Sequence, residues 1–235
     1  MPISLLAFDA DDTLWHNESY FRFTEDRFCE LLAPFAEPDH LSERLLDTER
    51  RNVELYGYGA KGFMLSLIET ALEITEHRVP GETLSEILQL GKEILARPVE
   101  VLDGAAETVA ALGARYRLVV VTKGDLIHQE SKVARSGLAD HFEHVEVVAE
   151  KDEATYARLY GRLGIDAALV CMIGNSVRSD VLPALALGSF AVHVPYHLTW
   201  AMEHAEAPSG EPRFATIRSL RELPDLLDTW PDPDA

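Results

Sequence analysis

The sequence predicts a doubly wound, parallel α/β sheet interrupted by an all-helical insertion. Three observations carry this. Short, almost continuously apolar runs recur along the chain. Helical patterns followed by glycine separate them, the order expected of a parallel sheet with crossover helices. One long stretch then abandons the alternation and keeps only helical periodicity.

Residues 3–8 are nearly all apolar and stop abruptly at Asp9, the pattern of a strand buried on both faces. Residues 118–121, ending at Thr122, repeat the pattern, as do 145–149, 168–173 before Gly174-Asn175, and 190–194. Between them, residues 103–112, 125–136 and 154–163 place apolar side chains at helical spacing. Gly113, Gly137 and Gly164 follow, each suited to a left-handed helix cap. In such sheets, polar residues just past the strand carboxyl ends converge on one crevice.

From about residue 16 to 96 the apolar positions are Phe21, Phe28 and Leu32; Leu41, Leu45 and Leu55; Phe63, Leu67 and Ala71; and Leu84, Ile87 and Leu88. This stretch reads as a helical insert, and Pro98 marks the return to the sheet. The expected division is therefore a sheet domain over residues 1–15 and 97–235 and a helical domain over 16–96. The tail beyond Pro208 is mostly turn residues, with one short helical pattern over 220–227.

The chain has 235 residues, 47% of them hydrophobic, enough for a sizeable core. Its 40 acidic and 21 basic side chains give a formal net charge of -19, a field that repels nucleic acid and anionic membrane surfaces. A phosphate-bearing ligand would need local cations or a metal to overcome the same field. Two lone cysteines, Cys29 and Cys171, form neither a disulfide framework nor a paired zinc motif. No run approaches membrane-spanning length, and the first residues lack a basic start and a secretory apolar stretch. The expectation is a cytoplasmic protein in a reducing compartment, with neither nucleic acid nor membrane as partner; oligomeric state is not legible.

At the end of the first predicted strand, Asp9-Ala10-Asp11-Asp12-Thr13 packs three carboxylates into four residues. Such a cluster must bind a cation, share protons or face water. Alone it is compatible with a solvated acidic turn. Together with Thr122, Lys151 and the segment Gly174-Asn175-Ser176-Val177-Arg178-Ser179-Asp180, however, it resembles the four ordered motifs of the haloacid dehalogenase-like hydrolase superfamily. The helical insert stands at the position of that superfamily's first cap type.

The resemblance implies a magnesium-dependent phosphohydrolase acting on a small phosphorylated metabolite. Asp9 would be the nucleophile that forms an aspartyl-phosphate, a role for which an ionised carboxylate is suited. Asp11 would protonate the leaving oxygen and then activate water. Thr122 would bond a phosphoryl oxygen, helped by the N–H groups of Lys123 and Gly124, with Thr13 also contacting substrate. Lys151 would bridge the nucleophile and the transferring group as a compact cation.

The resemblance further implies that Mg2+ would sit among Asp9, the Asp11 carbonyl, Asn175 and Asp180, oxygen donors of the kind it prefers. Asn175 departs from the commoner acidic residue and removes one negative charge. In the insert, Tyr58 and Lys61, on the glycine-bearing loop 56–61, are the candidates for leaving-group contacts. A phosphomutase, a dehalogenase of the same superfamily and a non-catalytic homologue remain alternatives; the second aspartate, Asp11, argues against the dehalogenase.

Overall fold

The computed structural model describes residues 3–230; the chain-end residues 1–2 and 231–235 of the expected sheet domain lie outside it. The described residues divide into two compact units, one of residues 3–18, 99–123 and 129–230, the other of 19–98 with 124–128.

The first unit is built on six parallel strands: β1 (Leu5–Phe8), β2 (Arg117–Lys123), β3 (His144–Val148), β4 (Val170–Gly174), β5 (Phe190–His193) and β6 (Phe214–Thr216). Their spatial order is β3-β2-β1-β4-β5-β6. The central strands are apolar throughout because both faces are covered. Leu6, Phe8, Leu118, Val120, Cys171 and Ile173 alternate with Leu5, Ala7, Val119, Val121, Val170 and Met172 into two separate cores.

Numbering the helices along the whole chain, the insert carries α1 (Glu18–Leu32), α2 (Pro38–Tyr56), α3 (Ala60–Ile74) and α4 (Gly81–Ala96). The chain continues with α5 (Ala105–Gly113), α6 (Leu126–Arg135), α7 (Glu153–Leu163), α8 (Leu182–Ala186) and α9 (Leu223–Thr229), all in the sheet unit except the first turn of α6. Ala105, Val109 and Leu112 of α5 pack on one sheet face, joined by Leu223 and Leu227 of α9. Tyr156, Leu159 and Tyr160 of α7 pack on the other.

Two local expectations need correction here. Gly113 stays inside the last turn of α5, and the helix ends on Ala114 in a right-handed conformation. The left-handed glycine there is Gly104, preceding the helix. The tail contributes a strand, β6, paired with β5 through Ala191–Phe214 and Val192–Ala215; its three residues are too few to show a period. By contrast, Gly164 caps α7 at φ +63°, as its position predicts.

In the second unit, Phe28, Leu32, Leu41, Leu45, Phe63, Leu67, Ala71 and Ile87 form one core. Leu55 and Leu88, read with that apolar set, are instead exposed. Buried Asn52 donates to Ser66 Oγ at 3.1 Å and Glu69 Oε2 at 2.9 Å, satisfying its amide between α2 and α3. No helix among the described residues is long and apolar enough to cross a membrane.

Candidate active site

Strand order reverses between β1 and β4, the topological switch point where open α/β sheets bind ligands. Register puts Phe8 beside both Val120 and Ile173, so Asp9 emerges at that point with Gly174 next to it. The Asp9 N–H donates to the Ile173 carbonyl at 2.8 Å. Lys151 Nζ donates to Asp9 Oδ1 at 2.5 Å, and the Thr13 hydroxyl donates to Oδ2 at 2.9 Å. Lys151 also reaches Asp180 Oδ1 at 2.7 Å, while Asp180 Oδ2 accepts the Ser176 N–H at 2.9 Å. Gly174 makes room for this: a Cβ there would lie 2.1 Å from Asp180 Oδ2.

One ammonium thus serves two buried carboxylates. Burial alone would lower the Lys151 pKa, but Asp180 and Asp9 raise it, so the lysine is charged. Asp9 carries the surplus. Burial, with the negative charges of Asp180 and Asp11, pushes its pKa up to about 7 despite Lys151.

Asp11 is held differently. Lys132 Nζ, from α6, donates to its two oxygens at 2.5 and 2.7 Å, Trp15 Nε1 donates at 2.7 Å, and Gln129 Nε2 donates at 3.1 Å. Burial works to raise the Asp11 pKa, yet Lys132 and these donors bring it below the usual carboxylate value. Gln129 also donates to Thr122 Oγ1 at 2.6 Å, joining the ends of β1 and β2. Asp12, the third carboxylate, points away into a structural role. At φ +65° it accepts the N–H groups of Asn17 at 2.8 Å and Glu18 at 3.0 Å, capping α1. Burial and neighbouring Asp11 raise its pKa to about 8.

Lys123 enters the crevice through its side chain. Its ammonium donates to Glu203 Oε1 at 2.6 Å and Ser179 Oγ at 2.9 Å. Glu203 Oε2 accepts the hydroxyls of Ser176 at 2.6 Å and Ser179 at 2.5 Å. Burial would raise the Glu203 pKa, but Lys123 and the two hydroxyls lower it. Asn175 Oδ1 lies 3.3 Å from Thr13 Oγ1, and its carbonyl accepts from His193 Nε2 at 3.0 Å.

Comparison with known proteins places this arrangement. The haloacid dehalogenase-like hydrolase family model matches residues 3–188. The chain belongs to that family, and it is a hydrolase. It is 42% identical to a haloacid dehalogenase-like family hydrolase of Xanthomonas campestris, whose crystal structure superposes with a TM-score of 0.88 over 97% of this chain and 92% of that one. It is also 26% identical to the pyrimidine 5'-nucleotidase YjjG of Escherichia coli (strain K12), over 94% of this chain and 96% of that protein. The L-2-haloacid dehalogenase of Xanthobacter autotrophicus, at 19% identity, shares the fold with a TM-score of 0.67 over 97% of this chain and all of that one. The fold therefore serves more than one chemistry.

The donor set of the site fits a hard cation. Asp9 and Asp180 share the single Lys151 ammonium, and Asn175 Oδ1, 3.3 Å from the Thr13 hydroxyl that bonds Asp9, adds a neutral oxygen donor. Among the described residues no three His, Cys, Asp or Glu side chains gather as a ready metal cage, so a cation here would draw on the carbonyl and amide oxygens too.

The structure gathers Asp9, Asp11, Thr13, Thr122, Lys123, Lys151, Asn175 and Asp180 around one crevice of the sheet unit. Tyr58, Lys61 and Gly124 belong to the helical unit, where Lys61 Nζ pairs with Asp125 Oδ2 at 2.9 Å. Sequence reasoning missed Lys132, Gln129, Trp15 and Glu203. The first two share a face of α6 at i, i+3 spacing, a polar pair within a pattern that otherwise reads as an ordinary amphipathic helix. Trp15 follows Asp11 by four residues, but Glu203 carries no local signal.

Proposed function

We propose that this hydrolase cleaves a small phosphomonoester through an aspartyl-phosphate on Asp9. The observation that carries the reading is the pairing of two differently tuned carboxylates, Asp9 against Lys151 and Asp11 against Lys132. Similarity to a pyrimidine 5'-nucleotidase supports phosphoryl chemistry.

In the first step an Asp9 oxygen attacks phosphorus, the bond from phosphorus to the leaving oxygen breaks, and Asp11 gives that oxygen a proton. The phosphoryl negative charge arriving beside Asp11 raises its proton affinity, against the pull of Lys132. In the second step Asp11 takes a proton from water as the water attacks phosphorus, breaking the Asp9 ester and releasing phosphate. Lys151 and Thr13 hold the nucleophile in position, and Thr122, oriented by Gln129, offers its hydroxyl to a phosphoryl oxygen. Magnesium, held by Asp9, the Asp11 carbonyl, Asn175 and Asp180, would supply neutralisation of the phosphoryl charge. The helical unit, with Tyr58 and Lys61, would act as the cap that contacts the leaving group.

The test is phosphate release from a panel of phosphomonoesters, with magnesium and with chelator, against Asp9→Asn. Metal-dependent release lost in Asp9→Asn is expected. Unchanged release in that variant removes Asp9 as nucleophile.

A further inference from the structure

The segment after β5 has little regular structure beyond a single 3-10 turn at Ala201–Glu203, yet side chains tie it down at both ends. Ordering an irregular segment costs roughly 1–2 kcal/mol of backbone entropy per residue, so such ties call for a reason. At one end the Tyr196 hydroxyl lies 2.6 Å from His16 Nδ1, just beyond the Asp9–Trp15 loop. At the other, the Met202 carbonyl accepts from Arg178 Nη1 at 2.8 Å. Glu203 adds its bonds to Lys123, Ser176 and Ser179. The ties therefore join this strap to the chain leaving β1, β2 and β4, the strand ends that carry the reacting groups.

Between those anchors, Leu198, Thr199 and Trp200 are half-buried and line the same cavity as Asp9 and Lys151. The rest of the lining is dominated by charge: Asp9, Asp11, Glu18, Asp180 and Glu203 against Lys123 and Lys151, the Asp12 carboxyl being taken up by its bonds to Asn17 and Glu18. A leaving group bearing its own carboxylate would meet this excess of negative charge. A neutral one with a flat face would meet Trp200 and Leu198.

We propose that the strap over residues 196–203 is the leaving-group subsite, with Trp200 as its aromatic wall, and that it takes a neutral, ring-bearing alcohol. The inference rests on the phosphohydrolase reading for the chemistry beside Asp9. It also assigns selectivity to the sheet unit, where the family resemblance directs attention to the cap.

The experiment is calorimetric binding of uridine 5'-monophosphate and of phosphoglycolate to the non-turning-over Asp9→Asn protein in magnesium, alone and combined with Trp200→Ala or Trp200→Phe. Stacking of a base on an aromatic side chain corresponds to a roughly five- to hundred-fold affinity effect. In the parent, uridine 5'-monophosphate binds the more tightly. Trp200→Ala lowers the ratio of the two affinities by about five-fold or more, and Trp200→Phe, which keeps a ring, retains at least half of it. A smaller fall in Trp200→Ala, an equal loss in Trp200→Phe, or no binding of either probe by the parent overturns the subsite. Phosphate release by the unmutated protein on the same compounds tests the reaction separately. Binding with the expected ratio but without release retains the subsite and removes the phosphohydrolase reading.

Discussion

Lys132 is the residue whose removal most directly tests the account of Asp11. Its ammonium lies within 2.7 Å of both Asp11 oxygens, and the side chains of lysine and aspartate are 9% and 22% exposed. Breaking a buried pair by deleting one partner costs about 3–5 kcal/mol. Here Trp15 and Gln129 still donate to the carboxylate and some solvent reaches it, so Lys132→Met is expected to cost about 2–3 kcal/mol. In an Asp11→Asn background the lysine has no anion to neutralise, and the same substitution should cost about 1 kcal/mol or less. The double-mutant cycle, measured by urea unfolding followed through tryptophan fluorescence, therefore carries a coupling of at least about 1–2 kcal/mol. Costs that add to within about 0.5 kcal/mol would refute the pairing as the determinant of Asp11's state. Because Lys132 also orients Asp11, phosphate release by Lys132→Met should fall about ten- to a hundred-fold.

Two further substitutions probe the end of β4. Gly174→Ala places a methyl group 2.1 Å from Asp180 Oδ2 and must expel that carboxylate from Lys151 and the Ser176 N–H. The unfolding free energy should drop by about 2–4 kcal/mol, and an unchanged melting temperature would contradict the packing described. Asn175→Asp adds a carboxylate to a site already in surplus, so in chelator the variant should lose about 1 kcal/mol through like-charge repulsion. Magnesium should then raise its melting temperature more than that of the parent, and an equal or smaller shift removes Asn175 from the cation's surroundings.

Much of the architecture was legible because burial on both faces writes itself into sequence. Residues 5–8, 118–121 and 170–173 are apolar at every position, and each run became part of a central strand. Edge strand β6 was not legible, since three partly exposed residues show neither a continuous apolar run nor a clear alternation. Gly113 misled for a related reason: glycine permits a left-handed cap but does not impose one, and α5 keeps it inside its last turn.

The sequence by itself determined which residue types could do the chemistry and that strand ends would collect them. Asp9, Asp11, Thr122, Lys151 and Asp180 each follow or finish a strand, or stand in a motif beside one, so their convergence follows from topology. Only the tertiary structure decided how each carboxylate is tuned. Asp9 shares one lysine with Asp180 and is pushed up to about 7, Asp11 is brought down by Lys132 from α6, and Asp12 is turned aside to cap a helix. These outcomes depend on distances of a few ångströms between groups up to 142 positions apart, and neither spacing nor composition records such distances.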